Sequence, residues 1–426
     1  MARCGAADYP GAASGRAEKL HLLPTILGQL NCLTDRPVPT KAYPTAAAVG
    51  VADPAQRTPA ERRVRRHRVL CVLTNILGHD APCHRFINVL NGMGTVEPTY
   101  VMLDARDYAE IKAPWWARAT DPWHGRFLVR QKIRPVLQNQ TFDLLLVNAW
   151  ELAVEFRRLA RRVPAGLVVD AVPATMNAQL RMRGRRGIKR WAAHRIHDHS
   201  FARAVRAFDF FFPKSSACLE SLVQDYGVPR ECCYLALPHQ HLETWRPGDK
   251  PHAPPARLLF VGNDFARKGG EFLLRLYAEH LCRKSTLIIA SNDSQLPRRS
   301  LPPGVTVLSG KNRQQMLEVY RGCDIFVFPT QQDFTPEVVA EATAVGLPSI
   351  VTDVDGVRDC VQHGATGFVM ERGADAAAWA KKISLLLDNP PKLTRMSQLT
   401  RRFAEEHLGF DGFERLVRTV IEAHLG

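Results

Sequence analysis

The stretch 329–348, PTQQDFTPEVVAEATAVGLP, decides the fold of this chain. It lies between two apolar runs, CDIFVF at 323–328 and PSIVTDV at 348–354, and each run has the length of a buried strand. Two acidic residues lie within the stretch, Asp333 near its start and Glu341 further on. The pattern predicts a strand, a loop that carries Asp333, a helix that carries Glu341, and a second strand.

The ends of this helix are marked by residues with known preferences. Thr335 is a good N-cap, Pro336 is tolerated at the first helical position, and Glu337 suits the positive end of the helix dipole. Gly346, followed by Leu-Pro, is typical of a helix end. The dipole alone explains an acid at Glu337, so no further role is predicted for that residue.

The same alternation of strands and helices extends over most of the chain. Apolar runs such as FDLLLVN, AFDFFFP, RLLFVG and STLIIAS are separated by helical patterns, which indicates parallel sheets covered by helices on both faces. A Pro-rich stretch interrupts the pattern once. We therefore predict an α/β protein made of a disordered extension (residues 1–66), a first doubly wound Rossmann-like domain (67–247), a linker (248–256), a second such domain (257–400) and a C-terminal helix (401–426).

Composition excludes several classes of protein. No apolar run approaches the length of a membrane span, and the N-terminus lacks the features of a secretory signal. The ten cysteines include no CxxC pair, which argues against a zinc site or a disulfide scaffold and favours a reducing compartment. The histidines of HRIHDHS have basic neighbours that would repel a cation, so no metal site is expected. We expect a cytoplasmic protein.

The net charge of +15 is concentrated in the first part of the chain. Residues 1–247 carry 35 basic and 21 acidic residues, and residues 157–206 carry 13 basic residues and two acids. The helical pattern within 157–206 places Ile196 on the apolar face, packed on the sheet. Such a segment suits a solvated helix. It also suits a protein that binds peripherally to the inner face of an anionic membrane. Nucleic acid is not expected, because aromatic residues are not interleaved with the basic ones.

A second motif precedes the opening stretch, LLFVGNDFARKGGEFLL at 258–274. It predicts a strand, a loop with Arg267 and Lys268, and a helix after two glycines. Glycines allow close approach of a phosphate, and the basic side chains neutralise it. Together with the helix N-terminus at Thr335, the motif predicts a diphosphate site.

The two motifs together resemble the C-terminal half of family 4 glycosyltransferases, which have the GT-B fold. Lys268-Gly269, the second acid Glu341, and the Gly-Leu-Pro stop at 346–348 match the family pattern. The resemblance covers about residues 255–426 well and residues 67–247 only in layout. It implies two Rossmann-like domains facing a central cleft, a nucleotide-diphosphate sugar as donor substrate, no cofactor, and transfer with retention of configuration to a saccharide, lipid-linked or other hydroxyl acceptor.

The resemblance also implies roles for individual residues. Glu341 would bind the ribose, Lys268 with Arg267 would bind the diphosphate, and Asp333 would contact the transferred sugar. The remaining donor-site candidates are backbone or loop positions near these groups: Gly262, Asn263, Gly310, Phe334, Thr335 and Pro336. The sequence departs from the family pattern at two positions. The first acid of the family is usually Glu, and Asp333 occupies that position. The family has a basic residue after the first glycine, and Asn263 occupies that position.

In the first domain the resemblance predicts the reaction side of the cleft less directly. Asp170, with Thr175, follows a predicted strand and is the candidate there, and Gly78 and His79 lie near the expected diphosphate. The catalytic candidates are thus Asp333, Asp170 and Lys268. Two alternatives stay open: a catalytically impaired GT-B-like protein that binds anionic membrane or nucleic acid, and a nucleotide-sugar epimerase on the same scaffold.

Overall fold

The computed structural model describes residues 66–75, 80–104, 107, 129–176, 188–248, 255–296 and 300–426. The predicted extension, apart from Arg66, lies outside the described residues, as do Gly78, His79 and most of the predicted linker. Within the described part, the chain forms two separate parallel sheets.

The first sheet has five strands in the order β2-β1-β3-β4-β5, and every neighbouring pair is parallel. The strands are β1 His67–Asn75, β2 Val96–Asp104, β3 Leu144–Val147, β4 Ala165–Val169 and β5 Phe210–Pro213. The helices that follow them are α1 Asp80–Asn91, α2 Arg134–Asn139, α3 Trp150–Phe156, α4 Ile188–Val205 and α5 Ser216–Tyr226. The sequence pattern did not identify β2, an edge strand that contains Pro98, a residue tolerated only at sheet edges.

The second sheet has six strands in the order β11-β10-β9-β6-β7-β8, again all parallel. Its strands are β6 Ala256–Val261, β7 Ser285–Ala290, β8 Val305–Leu308, β9 Ile325–Phe328, β10 Ser349–Thr352 and β11 Gly367–Met370. Its helices are α6 Gly270–Leu276, α7 Arg313–Arg321, α8 Glu337–Ala344, α9 Ala376–Leu387 and α10 Pro390–His407. The prediction of two doubly wound α/β domains is confirmed.

Both sheets are buried on their two faces, which explains their uninterrupted apolar strands. Strands β3, β5, β9 and β10 are buried at every residue. Where helices cover both faces of a sheet, the strand residues need not alternate between apolar and polar.

The last helix, α11 Phe410–Leu425, returns to the first domain. Its buried residue Phe413 packs against Phe86 of α1, with ring centroids 5.0 Å apart. Val417 and Ile421 lie in the same buried cluster as strand β1. The core of the first domain is thus completed by the end of the chain.

Two local predictions are wrong. Helix α8 begins at Glu337 with Pro336 as its N-cap residue, and no side chain caps it. The hydroxyl of Thr335 is buried without a hydrogen-bond partner, because the extended backbone at Pro336 separates Thr335 from the first turn. Ile196 is 61% exposed, while Phe201 and Val205 form the face of α4 that packs on the sheet.

Candidate functional site

The predicted donor residues converge at the carboxyl ends of neighbouring strands in the second sheet. Strand β6 pairs directly with β9, so the loop after β6 lies beside the loop after β9. The first loop carries Lys268 and the second carries Asp333. Ligands of doubly wound sheets bind at this edge.

Lys268 and Asp333 form an ion pair between these two loops. Both side chains are largely buried, at 16% and 12% exposure. Burial lowers the pKa of Lys268, and the carboxylate of Asp333 opposes that shift. The ammonium group also lies 5.4 Å from the ring centroid of Phe328. The pair places a cation and a carboxylate where a ligand carrying both phosphate and hydroxyl groups would be recognised.

Glu341 lies one helical turn beyond Glu337 on α8. Its carboxylate accepts a 2.9 Å hydrogen bond from the hydroxyl of Tyr320. Burial raises the pKa of Glu341 to about 7, and Glu337 adds to the rise, while Tyr320 and the nearby Arg313 lower it. A carboxylate in this setting is a strong acceptor for ligand hydroxyl groups once it is ionised.

Gly269 allows the two loops to approach each other. Its φ is +84°, and a Cβ there would lie 1.9 Å from the carbonyl oxygen of Pro329. Only glycine fits both constraints. Gly262 lies on the other side of Lys268, where an added Cβ would be 3.1 Å from the lysine Cγ. These glycines therefore fix the position of Lys268 against the β9 loop.

A chain of amide groups joins the other predicted donor residues. The side-chain oxygen of Asn263 accepts a 3.0 Å hydrogen bond from the backbone of Asn292, and the side-chain oxygen of Asn292 accepts one of 2.8 Å from the backbone of Gly310. The structure thus brings Asn263 and Gly310 together along the ends of β6, β7 and β8. Asn263 therefore binds the loop after β7 but contributes no positive charge to the site.

Arg267 is bonded to groups other than the Lys268–Asp333 pair. Its guanidinium group contacts Asp264 at 2.7 Å and donates to the backbone carbonyl of Gln332 at 2.9 Å. These bonds fasten the two loops together. In this geometry Lys268, rather than Arg267, is the cation beside Asp333.

Two contacts join the second domain to the carboxyl edge of the first. Arg85 of α1 forms a two-bond ion pair with Glu337, and Gln240 donates to the same carboxylate at 3.2 Å. Ser216, at the start of α5, donates through both its hydroxyl and its backbone N–H to Asp359. The carboxyl edges of the two sheets therefore face each other across the site.

The candidates of the first domain lie at this edge but make different contacts. Asp170 directly follows β4. The Thr175 hydroxyl donates to the Val172 carbonyl at 2.8 Å and accepts from the Val172 N–H at 3.0 Å, so it stabilises its own turn.

A cavity of about 370 Å³ opens on the other side of the β9 loop. It is lined by residues from the ends of β9, β10 and β11 and from α6 and α9, among them Thr330, Gln332, Thr352, Arg372 and Trp379. Lys268, Asp333 and Glu341 do not line it. The β9 loop thus separates this cavity from the donor residues.

Comparison with known proteins agrees with this geometry. Residues 243–403 match the family model described as glycosyl transferases group 1. The chain is 29% identical over 199 residues to a D-inositol 3-phosphate glycosyltransferase of Nocardia farcinica, covering 41% of this chain and 44% of the relative. A relative of the same description from Catenulispora acidiphila is 26% identical over 247 residues, covering 52% of this chain and 58% of the relative. The chain therefore spans about half the length of the curated relatives it matches.

Solved structures extend the likeness to both domains. A sucrose-phosphate synthase from Thermosynechococcus elongatus superposes with a TM-score of 0.68 at 15% identity, covering 84% of this chain and all of that one. The Anabaena protein HepE, solved with UDP-glucose, has a TM-score of 0.60 at 13% identity over 84% of this chain and all of that one. The fold is GT-B. Its two domains are the sheets β1–β5 and β6–β11.

Several residues of this GT-B site were not predicted from the sequence. Tyr320 and Asn292 hold predicted residues from other elements. Glu337, for which only a dipole effect was predicted, joins the domains through Arg85. Its position one turn before Glu341 was the available signal, since the two carboxylates share a helix face. Among the described residues, no cluster of His, Cys, Asp or Glu suits a metal ion.

Proposed function

We propose that this chain is a glycosyltransferase that moves a sugar from a nucleoside-diphosphate sugar to a hydroxyl acceptor with retention of configuration. One observation carries the proposal: the Lys268–Asp333 pair joins the glycine-bordered loop after β6 to the loop after β9, within the residues that match the glycosyl transferase family model. The relatives' names support the same class of reaction. The family 4 assignment remains part of the proposal.

Each donor residue then has a chemical task. Lys268 neutralises the diphosphate as the bond between the anomeric carbon and the phosphate oxygen breaks. Asp333 accepts hydrogen bonds from sugar hydroxyls, and Glu341 accepts them from the ribose. The acceptor oxygen bonds to the anomeric carbon, and its proton passes to the leaving phosphate oxygen. Asp170, from the facing domain, contacts the acceptor side of the sugar.

The relatives suggest the first ligands to test. HepE was solved with UDP and UDP-glucose, so UDP-sugars head the donor panel. Several curated relatives are named for D-inositol 3-phosphate, which makes a phosphorylated polyol the first acceptor, ahead of saccharide and lipid-linked hydroxyls. The acceptor that the enzyme uses then determines whether the product is a polysaccharide or a glycolipid.

A thermal-shift assay on wild type and on Glu341→Ala tests the donor site. The ligands are UDP, GDP, ADP and their sugar conjugates. A ligand at a hundred times its Kd adds about 2.7 kcal/mol of stability. We expect one nucleotide to stabilise the wild type and not the variant. Failure of every nucleotide to bind the folded wild type would overturn the proposal. Incubation of the donor without acceptor separates an epimerase, which would convert the sugar, from a transferase.

A second observation concerns four arginines in the first domain, Arg157, Arg158, Arg161 and Arg203, which we call the arginine surface. Desolvation lowers the pKa of Arg157, and the charges of the other three lower it further, so each of the three lies near Arg157. Residues 157–164 precede β4, which places this surface at the amino ends of the strands, away from the site. The exposed Ile196 lies two turns before Arg203 on α4.

We propose that the arginine surface attaches the protein to anionic lipid as a peripheral contact. Clustered arginines beside an exposed apolar residue suit a charged lipid surface. No helix of the described residues is long and apolar enough to span a bilayer. Because the surface lies opposite the site, the contact is one of attachment rather than of acceptor binding.

Sedimentation with phosphatidylglycerol vesicles tests the lipid contact, with phosphatidylcholine vesicles as reference. Replacing Arg158, Arg161 and Arg203 by Gln should abolish sedimentation with the anionic vesicles. The control replaces Lys381, Lys392 and Arg395, exposed residues of the second domain, and removes the same charge. Equal losses in both triple variants, or binding to RNA without binding to vesicles, would contradict the lipid contact.

A further inference from the structure

The loop after β10 carries a residue in an unusual backbone conformation. Asp355 has a φ of +39° and is the only non-glycine residue with a positive φ among those the structure describes. Side chains with a Cβ rarely adopt this region, although Asp and Asn tolerate it better than most. Strain of this kind persists where surrounding contacts require it.

The contacts of Asp355 lead to the donor site. Its carboxylate accepts a hydrogen bond from the backbone N–H of Asp333, the residue that pairs with Lys268. Burial raises the pKa of Asp355 to about 6, the charge of Asp333 raises it as well, and Arg372 opposes the rise. The Asp355 carboxylate therefore holds the backbone of the β9 loop at Asp333, the residue proposed to bind the sugar.

The same loop is packed tightly on its other side. A Cβ at Gly356 would lie 2.3 Å from the carbonyl oxygen of Phe334 and 2.6 Å from the Cβ of Ser215 in the first domain. Asp359, further along the loop, accepts hydrogen bonds from Ser216. Residues 353–359 thus touch both the β9 loop and the first domain, and Asp355 lies where these contacts meet.

We infer that Asp355 is a positioning residue for the sugar-binding part of the donor site, an inference that rests on the proposed function. Lys268 pairs with Asp333 in the free protein and must turn to the diphosphate when a donor binds. Asp333 then accepts hydrogen bonds from the sugar. Asp355 holds the backbone of Asp333 during this exchange, so its effect is confined to ligands that carry a sugar.

Two variants separate the carboxylate from the backbone strain. Asp355→Gly removes the carboxylate and relieves the positive φ, so its Tm should equal or exceed that of wild type. Asp355→Asn keeps the shape and one acceptor oxygen. Asp353→Asn, in the same loop but paired with Arg358 at 40% exposure, is the matched control.

The measurement is the affinity for the nucleoside diphosphate and for its sugar conjugate, by titration calorimetry. In Asp355→Gly we expect the affinity gained from the sugar to fall about tenfold, with nucleoside diphosphate affinity unchanged. Asp355→Asn should lose less of the affinity gained from the sugar, and Asp353→Asn should lose none of it. A stable Gly variant that retains the full gain from the sugar would overturn the inference while leaving the proposed function intact. Absence of nucleotide binding by the wild type would instead overturn both.

Discussion

Arg85 and Glu337 form an ion pair across the two domains, with both guanidinium amino groups bound to the carboxylate at 3.1 and 2.5 Å. Their side chains are 8% and 19% exposed. Gln240, itself buried, donates to the same carboxylate and links it to the backbone of Phe410 at the start of α11. These bonds thus hold the two domains together at the first turn of α8, the helix that also carries Glu341.

Removing one partner of this pair should destabilise the protein strongly. Arg85→Met leaves a largely buried carboxylate without its cation, so we expect the free energy of unfolding to fall by about 2–4 kcal/mol. Glu337→Gln should behave similarly. The double variant should lose less than the sum of the two, because neither charge then remains unpaired. Urea unfolding of all four proteins measures this.

The exposed pair of Arg246 and Glu243 is the control for this cycle. Its side chains are 63% and 96% exposed. Glu243→Gln should change stability by less than about 1 kcal/mol. Additive losses in the Arg85 and Glu337 variants would show that the interdomain pair contributes no coupling.

The stability of the free protein should depend on pH through Glu341. Its pKa is about 7 in the folded state and near the ordinary glutamate value of 4.5 in the unfolded chain. Between these values the folded state holds a proton that the unfolded state has lost, so the free energy of unfolding falls as pH rises from 4.5 to 7. Glu341→Gln removes this dependence.

We therefore expect Glu341→Gln to match wild type near pH 4.5 and to exceed its stability above pH 7, by on the order of 2 kcal/mol. The same variant should bind nucleotide more weakly, because the ionised acceptor is gone. Thermal unfolding from pH 4.5 to 8.5 checks the first expectation. Parallel curves for the two proteins would contradict the assignment of the raised pKa to this residue.

Lys268 and its neighbour Arg267 should differ in their effect on the reaction. Lys268→Gln removes the cation next to Asp333 and should lower kcat/KM by about a hundredfold or more. Arg267→Gln serves as the matched control, since its guanidinium is bonded to Asp264 and to a backbone carbonyl. We expect less than a tenfold loss there.

Initial rates with the donor found by the thermal-shift panel provide this comparison. Binding of the nucleoside without phosphates should be equal in both variants, because neither residue is expected to contact the base or ribose. Similar losses of kcat/KM in the two variants would place the diphosphate between both basic side chains.

Phe413 tests the attachment of the last helix to the first domain. The ring is buried against Phe86, so Phe413→Ala should lower the free energy of unfolding by about 3–5 kcal/mol. Leu385→Ala, at a side chain 41% exposed, is the control and should cost under about 1 kcal/mol. Equal losses would mean that α11 does not contribute to the core of that domain.

Many features of both domains follow from local sequence. The apolar runs at β9 and β10, the Ser215 cap and Gly227 end of α5, and the left-handed Gly346 after α8 lie where the sequence places them. Strand length, capping and chain reversal depend on residues within a few positions of each other. Such features are encoded locally.

The exceptions arise where distant residues compete with local preference. Thr335 has the propensity of an N-cap, yet its hydroxyl is buried without a partner because the loop is held by Arg267 and Asp355 from other elements. Ile196 has the periodicity of a buried position, yet it is 61% exposed, while Phe201 and Val205 of the same helix are buried.

The residue pattern is enough to specify two parallel α/β sheets and to predict that Lys268, Asp333 and Glu341 belong to one site, because each loop and helix is encoded within a short stretch. The contacts between these elements depend on the tertiary structure: Lys268 meets Asp333, Tyr320 donates to Glu341, the Asp333 N–H donates to Asp355, and Arg85 reaches Glu337. These partners are far apart in the chain, and it is the order of the strands in the sheets and the return of the last helix that bring them into contact.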